Sequence, residues 1–394
     1  MYRKYFIDWL RVLAFILLIF FHCAMPFVIF GWEIKNKETS LGLSRMLWWL
    51  HQWRLPLLFF ISGVGIHFSL ERRSLLSFAW ERVRRLLIPL LFAMFFTIPF
   101  QIYFEWMQKG RIAGSYGKFY PQVWEMVPYP DGALTWSHMW FVVYLFVFCI
   151  LLLPVFGIFK IRIFKTFKNW LAQLLSKPFP LVLLFIPFTI YYFQFFIRYP
   201  EQQSLLDDWF VFVSSMTLVV LGYLLGASDR FWATCEKFRI YFLSAAILCI
   251  ILLYYFYWWD LDLPKQNDQR LYVYGILNSI QVWMLILALC GFAKKYLNFS
   301  NRFLQFTTQA VYPFYILHQT IIVAAGFYVV QLQLPIWIKL IFLIIITFCS
   351  LFLIYRWLIR PFILTRILYG MKPREVSRKD AKRIHKAQRE LAKN

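Results

Sequence analysis

The sequence predicts an all-α fold, a polytopic membrane helix bundle. Of the 394 residues, 61% are apolar and 22% are aromatic, and the mean hydropathy is +0.60. These values lie far above what the surface of a soluble domain tolerates. Apolar runs long enough to cross a bilayer, roughly 20 residues each, recur along the chain. Basic and acidic residues are sorted into alternate connections between these runs.

About ten apolar segments are predicted to span the membrane. They cover residues 6–30, 46–69, 86–107, 137–159, 179–198, 209–228, 240–259, 271–293, 305–330 and 336–359. We therefore expect residues 1–365 to form one membrane-embedded domain and residues 366–394 to form a basic cytoplasmic tail. The chain has no visible internal repeat of the kind that is common among transporters.

The distribution of charge predicts the orientation of the bundle. The net charge is +23, and connections on one side of the predicted membrane hold 29 of the 42 Lys and Arg residues. The opposite side holds most of the Asp and Glu residues. Because basic residues concentrate in cytoplasmic loops, both termini are expected in the cytoplasm. This sorting accounts for most of the net charge, so no nucleic-acid partner is predicted.

Two basic segments predict contact with the membrane surface. Residues 71–87 place apolar side chains among five arginines, as an amphipathic helix on the inner membrane surface would. Residues 372–394 are predicted to form a second basic, weakly amphipathic helix. Anionic lipids are the expected partner of both segments.

The first predicted span carries an arginine and a histidine on one helical face. Arg11 and His22 are eleven residues apart, which is about three turns plus 20° and about 16 Å along a helix. In the predicted orientation Arg11 lies near the cytoplasmic surface and His22 in the outer half of the bilayer. Each residue also has a structural interpretation. Arg11 can reach the lipid phosphates, with Asp8 as its local partner, and His22 can form a hydrogen bond to a neighbouring helix. Ionisable groups in a membrane are expensive, which favours a functional role.

Further polar side chains collect at compatible depths. His51 and Arg54 lie in the outer half of the second span, Glu105 near the outer end of the third, His138 at the outer start of the fourth and His318 near the middle of the ninth. Together with His22 they predict a polar cavity that opens outwards and supports proton transfer. The six cysteines show no C-x-x-C spacing, so no metal site is predicted.

The longest outer loop, residues 108–136, is rich in Tyr, Trp, Pro and Gly. Aromatic residues at this depth often form an interfacial belt. They also form surfaces on which sugar rings stack. Both interpretations remain open from the sequence.

Several motifs carry a resemblance to a known family. They are the Arg11 and His22 pair, "FFISG" at 59–63, "ERVRRLLIP" at 81–89, "HMWFVVYLF" at 138–146 and "VYPFYILHQ" at 311–319. In these motifs the chain resembles the acyltransferase-3 family of membrane acyltransferases, and within it the glucan biosynthesis protein C subgroup. It departs from acetylating members at Trp136-Ser137-His138, where they show Trp-Ser-Leu followed by a glutamate.

The resemblance implies a multi-pass O-acyltransferase of the cell inner membrane. An acetyl or succinyl group would pass from cytoplasmic acyl-CoA to a hydroxyl of an extracytoplasmic polysaccharide or oligosaccharide. Acyl-CoA is then a donor substrate, and no bound cofactor is implied. A transporter or flippase of an acyl group or glycan is the alternative function.

The resemblance also implies roles for the polar residues. His22 would act as the base, with His318 or His138 as a second proton carrier or oxyanion donor. Direct transfer is favoured, with a covalent acyl-enzyme on Ser62 or a histidine as the alternative. Arg54, His51 and Glu105 would bind substrate, Arg54 as a candidate partner for a succinyl carboxylate. The donor phosphates would be bound by Arg11, Arg72, Arg73, Arg82 and Arg85.

Overall fold

Helices dominate the computed structural model, which describes residues 3–196, 198–199, 201–264 and 268–372. The structure is 77% helical, and these residues contain no strand. Ten apolar helices are numbered in chain order. They are α1 (Tyr5–Phe27), α2 (Leu41–Glu71), α3 (Leu75–Gln108), α4 (Ser137–Leu151), α5 (Pro178–Phe196), α6 (Trp209–Leu225), α7 (Asp229–Trp258), α8 (Arg270–Tyr296), α9 (Arg302–Val329) and α10 (Ile336–Ile359).

Each predicted apolar segment coincides with one of these helices, which confirms the all-α membrane bundle. Eight of the helices are long and apolar enough to cross a membrane, whereas α4 and α6 are shorter. The number of crossings, the side on which the termini lie and the domain boundary after residue 365 stay predictions. The tail helix predicted for residues 372–394 falls almost entirely outside the described residues.

Side-chain caps set the starts of several helices. Ser40, Ser228 and Asn301 each accept a hydrogen bond from a backbone N–H in the first turn of α2, α7 and α9. Short polar side chains at this position satisfy amides that have no partner within the helix. The helices therefore begin where the local sequence supplies an acceptor.

The amphipathic helix expected at residues 71–87 is not a separate surface element. Ser74 caps the start of α3 by accepting from the backbone N–H of Ser77. From Leu75 the helix runs without a break to Gln108. Phe78 is fully buried and Leu86 is nearly so, whereas Leu76 and Trp80 are exposed, because this segment turns one of its faces into the bundle. The prediction of an independent surface helix was wrong.

A different helix has the form expected of an interfacial segment. Arg162–Leu175 connects α4 to α5 and exposes Ile163, Phe167 and Trp170, while Ala172 on its other face is buried. A helix with apolar residues exposed along one side and several basic residues suits the membrane interface.

Helices α2 and α6 approach each other closely through two glycines. A Cβ added to Gly63 would lie 2.1 Å from the carbonyl oxygen of Val219, and one on Gly222 would lie 2.0 Å from that of Phe60. Small residues allow such contact between helices in membranes. Elsewhere α7 packs along α8, and α9 packs against α1, α3 and α10.

Replacing Gly63 by alanine is expected to destabilise the bundle by about 1 to 3 kcal/mol, because overpacking forces the backbones of α2 and α6 apart. Thermal unfolding in detergent measures the effect as a lower Tm. Gly42→Ala is the matched control on the same helix, since no atom lies within 4 Å of a Cβ built there. Equal unfolding temperatures for the two variants would contradict this account of the packing.

Candidate active site

Two cavities enter the bundle from opposite ends. The first, named the basic cavity, is about 650 Å³ and lies at the start of α1, the end of α2 and the start of α3. The second, named the histidine cavity, is about 800 Å³ and lies at the end of α1, the start of α2 and the end of α3. Since consecutive helices run in alternate directions, the two cavities lie at opposite ends of these helices.

One face of α1 lines both cavities in succession. Asp8, Arg11 and Phe15 face the basic cavity, and Leu18 and His22 face the histidine cavity. Steps of three or four residues keep side chains on one helical face. Arg11 and His22 therefore lie on the same side of α1 but in different cavities.

Two aromatic side chains form a wall between the cavities. Phe141 of α4 and Tyr315 of α9 line both of them. Both side chains are at least 95% buried. These two rings therefore lie between the two cavities.

The basic cavity brings together all five arginines predicted to bind donor phosphates. These are Arg11, Arg72, Arg73, Arg82 and Arg85. Asp8 bonds Arg11 at 3.0 Å and also accepts from Arg3 at 2.9 Å. The carboxylate therefore fixes Arg11, the intramembrane arginine, towards the cavity.

Glu81 is a residue of this cavity that the sequence analysis missed. It pairs with Arg73, with Arg82 at 3.1 Å and with Arg85 at 3.5 Å. One carboxylate thus gathers three guanidinium groups, which would otherwise repel one another. The available signal was its position, directly before Arg82 and four residues before Arg85 on a helix.

A chain of hydrogen bonds orients His22. His318 Nδ1 lies 2.6 Å from the Tyr315 carbonyl oxygen, and His318 Nε2 lies 2.7 Å from His22 Nδ1. A carbonyl only accepts, so Nδ1 of His318 carries its proton and Nε2 holds the lone pair. For neutral rings Nδ1 of His22 then donates, which leaves the lone pair of His22 on Nε2. His22 lines the histidine cavity, so this nitrogen is its proton acceptor.

His318 lies behind His22 rather than in the cavity wall. Its side chain is fully buried, and both of its ring nitrogens take part in the chain just described. The structure therefore places the two histidines as a pair in which one contacts the cavity and the other supports it.

His138 lines the histidine cavity, but its ring nitrogens face protein groups. Nε2 lies 3.2 Å from the Ile316 carbonyl oxygen, and Nδ1 lies 3.4 Å from the side-chain nitrogen of Gln101. The carbonyl of His138 also accepts from the Tyr315 hydroxyl at 2.6 Å. His138 thus ties the start of α4 to α9 around the aromatic wall.

Arg54 is a buried cation beside His22. Its side chain is 2% exposed, and its guanidinium carbon lies 3.8 Å from the ring centre of Phe21. Nε and Nη1 have no hydrogen-bond partner among the described residues. His51, one turn earlier on α2, instead pairs with Glu201 at 2.9 Å. Arg54 therefore presents unsatisfied donors in a cavity wall, where an anion would stabilise them.

Glu105 is held on the opposite side of the histidine cavity. Its Oε1 accepts from the Tyr129 hydroxyl at 2.8 Å and from Lys109 at 2.5 Å. Oε2 is buried without a partner among the described residues. The spacing of Glu105 and Lys109, four residues on one helix, is the sequence signal for this pair.

Glu33, in the loop after α1, is a second acidic residue that sequence reasoning missed. It accepts from Gln319 at 2.6 Å and lines the histidine cavity. Burial raises the pKa of Glu33 to about 7. The carboxyl group therefore changes its charge close to neutral pH. Its position in the loop between α1 and α2 gave no periodic signal.

The fold and this arrangement define a multi-pass membrane protein with a polar path interrupted by one aromatic wall. The chain belongs to the acyltransferase-3 family, whose model, described as an acyltransferase domain, matches residues 4–356.

Curated relatives carry the name Glucans biosynthesis protein C. Those from Escherichia coli strains K12, SMS-3-5 / SECEC and O1:K1 / APEC are each 28% identical over 241 residues. The match covers 57% of this chain and 57% of each relative, so it spans little more than half their length. No solved structure gives a significant match.

The raised pKa of Glu33 predicts a pH-dependent loss of stability. A carboxyl whose pKa is raised from 4.5 to about 7 by folding is favoured in its protonated form, so stability falls between these pH values. The Tm of Glu33→Gln should depend less on pH than that of wild type. The difference, variant Tm minus wild-type Tm, should therefore increase between pH 4.5 and 7. Glu125→Gln, at an exposed outer-loop position, is the control. A constant difference in Tm across this range would contradict the assignment.

Proposed function

We propose that the chain is an O-acyltransferase of the inner, cytoplasmic membrane that moves an acetyl or succinyl group from acyl-CoA to a glycan hydroxyl. The observation that supports this most directly is the arrangement of the two cavities. Arginines gather in one, His22 lines the other, and among the described residues Phe141 and Tyr315 alone line both. An acyl thioester that reaches past these rings from the basic cavity meets His22.

The donor is proposed to bind in the basic cavity as its substrate. Arginine forms charge-assisted, often bidentate hydrogen bonds with phosphate oxygens. Arg11, held by Asp8, and the three arginines gathered by Glu81 supply these donors. The narrow thioester arm of the donor is then the part directed towards the wall.

In the proposed reaction, Nε2 of His22 removes the proton from the acceptor hydroxyl while the hydroxyl oxygen attacks the thioester carbonyl. The new C–O bond gives a tetrahedral intermediate, which collapses by breaking the C–S bond. The proton held by His22 passes to the departing sulfur, so the products are the acylated glycan and free CoA. His318 keeps the His22 ring in position throughout.

The surroundings of His22 favour direct transfer. Ser62, the alternative nucleophile, lines the basic cavity and not the histidine cavity. Arg54 is buried with unpartnered donors in the cavity of His22, where it would stabilise the developing oxyanion or a terminal carboxylate of the acyl group. His138 bonds protein groups, so it acts by positioning the wall.

An extracytoplasmic glycan is the proposed acceptor. Trp32, Tyr129 and Trp136 line the histidine cavity beside Glu33 and Glu105. Aromatic faces next to carboxylates suit the stacking and hydroxyl contacts of sugars, and the name of the relatives refers to glucan biosynthesis. Anionic lipids are proposed partners of the basic, amphipathic segments at the donor end.

Removing the proposed base should nearly abolish acyl transfer. His22→Ala is expected to lower kcat by about 10² to 10⁴-fold, the usual contribution of a general base, and His318→Ala by less because the ring of His22 remains. The measurement is release of free CoA by purified full-length protein given acyl-CoA and a glucan acceptor. Leu13→Ala, on the exposed side of α1, is the control for folding and insertion.

Normal turnover in His22→Ala would exclude His22 as the base. Accumulation of acyl groups or glycan inside proteoliposomes, without release of free CoA, would instead support the transporter or flippase.

Charge removal in the basic cavity should weaken donor binding. Arg82→Gln with Arg85→Gln is expected to raise KM for acyl-CoA roughly tenfold or more, since a hydrogen bond to a charged group contributes about 1.5 to 3 kcal/mol. The change in kcat should be smaller, because these residues lie far from His22. Arg84→Gln, an exposed arginine on the same helix that lines neither cavity, is the matched control. An equal KM in both proteins would refute the donor-binding role.

A further inference from the structure

A third cavity adjoins the basic cavity and is named the side chamber. It is about 470 Å³ and lies between α1, the start of α9 and the turn that follows α10. The basic residues that line it are Arg3, Arg11, Arg85, Arg366 and Lys372. All of these except Arg366 also line the basic cavity, so the two spaces are continuous.

The side chamber differs from the basic cavity in its balance of charge. The basic cavity contains the carboxylates of Asp8 and Glu81. Among the described residues, no carboxylate lines the side chamber. Positive potential is therefore least neutralised there, which favours an anionic ligand.

Three side chains that line the side chamber also carry buried donors without partners among the described residues. Nε of Arg11, Nε of Arg366 and the hydroxyl of Tyr312 form no hydrogen bond with the described residues, and all three side chains line the side chamber. Leaving a buried donor unpaired costs about 1 to 3 kcal/mol. A ligand with several acceptor oxygens in the chamber would reduce this cost.

The turn that closes the chamber is fixed by its own sequence. The short helix Ile363–Leu368 is followed by Tyr369 and then by Gly370, which has a φ of +66°. A Cβ there would lie 2.3 Å from the ring of Tyr312. Arg366 then donates to the carbonyl oxygen of Lys372 at 2.8 Å. Glycine thus lets the chain fold back onto α9, which brings both cations to the chamber.

We infer that the side chamber binds the 3′-phosphate of the CoA donor, with Arg366, Lys372 and Tyr312 as its recognition residues. A phosphomonoester carries up to two negative charges and three acceptor oxygens, which match the cations and unpartnered donors of the chamber. The inference rests on the proposed function, because it assumes that CoA occupies the adjoining basic cavity. The phosphomonoester headgroup of phosphatidic acid offers the same chemistry, and continuity with the donor cavity favours the nucleotide.

Equilibrium binding tests the inference without requiring catalysis. The full-length protein in phosphatidylcholine nanodiscs is titrated with CoA and with 3′-dephospho-CoA. We expect wild type to bind CoA about tenfold or more tightly than dephospho-CoA. Lys372→Gln and Arg366→Gln should each weaken CoA binding and leave dephospho-CoA binding almost unchanged. Arg356→Gln, an exposed arginine that lines no chamber, should retain the wild-type ratio.

The results that would overturn the inference are distinct. Equal affinity of wild type for the two ligands excludes recognition of the 3′-phosphate, and this comparison needs no variant that could misfold. In discs that contain phosphatidic acid, the preference for CoA over dephospho-CoA is measured again. If this preference disappears and the lipid is bound in place of CoA, the chamber is assigned to the lipid. Tighter binding of CoA than of dephospho-CoA, without any acyl transfer, supports 3′-phosphate recognition by the side chamber and rejects the proposed function. Acyl transfer by a protein that binds CoA and dephospho-CoA equally well supports the proposed function and rejects 3′-phosphate recognition by the side chamber.

Discussion

The hydrogen bond between His22 and His318 joins α1 to α9 at the base of the histidine cavity, and the polar interior depends on it. Two imidazole rings in a membrane-embedded bundle are tolerated only if their nitrogens are paired or reach a wet cavity. His318 is paired at both nitrogens, through Tyr315 and through His22. The second nitrogen of His22 is left for the cavity. One helix-to-helix contact thereby joins α1 to α9 and, in the proposed reaction, leaves Nε2 of His22 to accept the proton.

Tyr315 connects this pair to the wall that separates the two cavities. Its carbonyl accepts from His318 and its hydroxyl donates to the carbonyl of His138. The ring itself lines both cavities together with Phe141. A displacement of the ring would therefore disturb both the orientation of His22 through His318 and the position of α4. The wall between the cavities and the orientation of His22 therefore both depend on Tyr315 of α9.

The sequence alone predicted the bundle, its ten apolar segments and the shared face of Arg11 and His22, since length, hydropathy and helical spacing are local properties. The structure places the polar residues predicted at each end of the helices in the lining of the two cavities, except His318. The sequence could not predict that His318 lies behind His22, because this depends on how α9 packs against α1. Glu81 was missed for a related reason: the carboxylate matters only once α3 continues into the bundle and brings three arginines around it.

Charge imposes a further constraint on any molecule that uses both cavities. Phosphates remain at the arginine-rich end, since an apolar wall of two aromatic rings offers an anion no compensation for lost water. A neutral acetyl thioester passes such a wall without a charged partner. A succinyl group carries a carboxylate across it and needs a cation on the far side. Arg54 is a buried cation of the histidine cavity, and two of its donors have no partner among the residues that the structure describes. In the proposed reaction, the choice between acetyl and succinyl therefore depends on whether Arg54 pairs with the acyl chain or with the oxyanion.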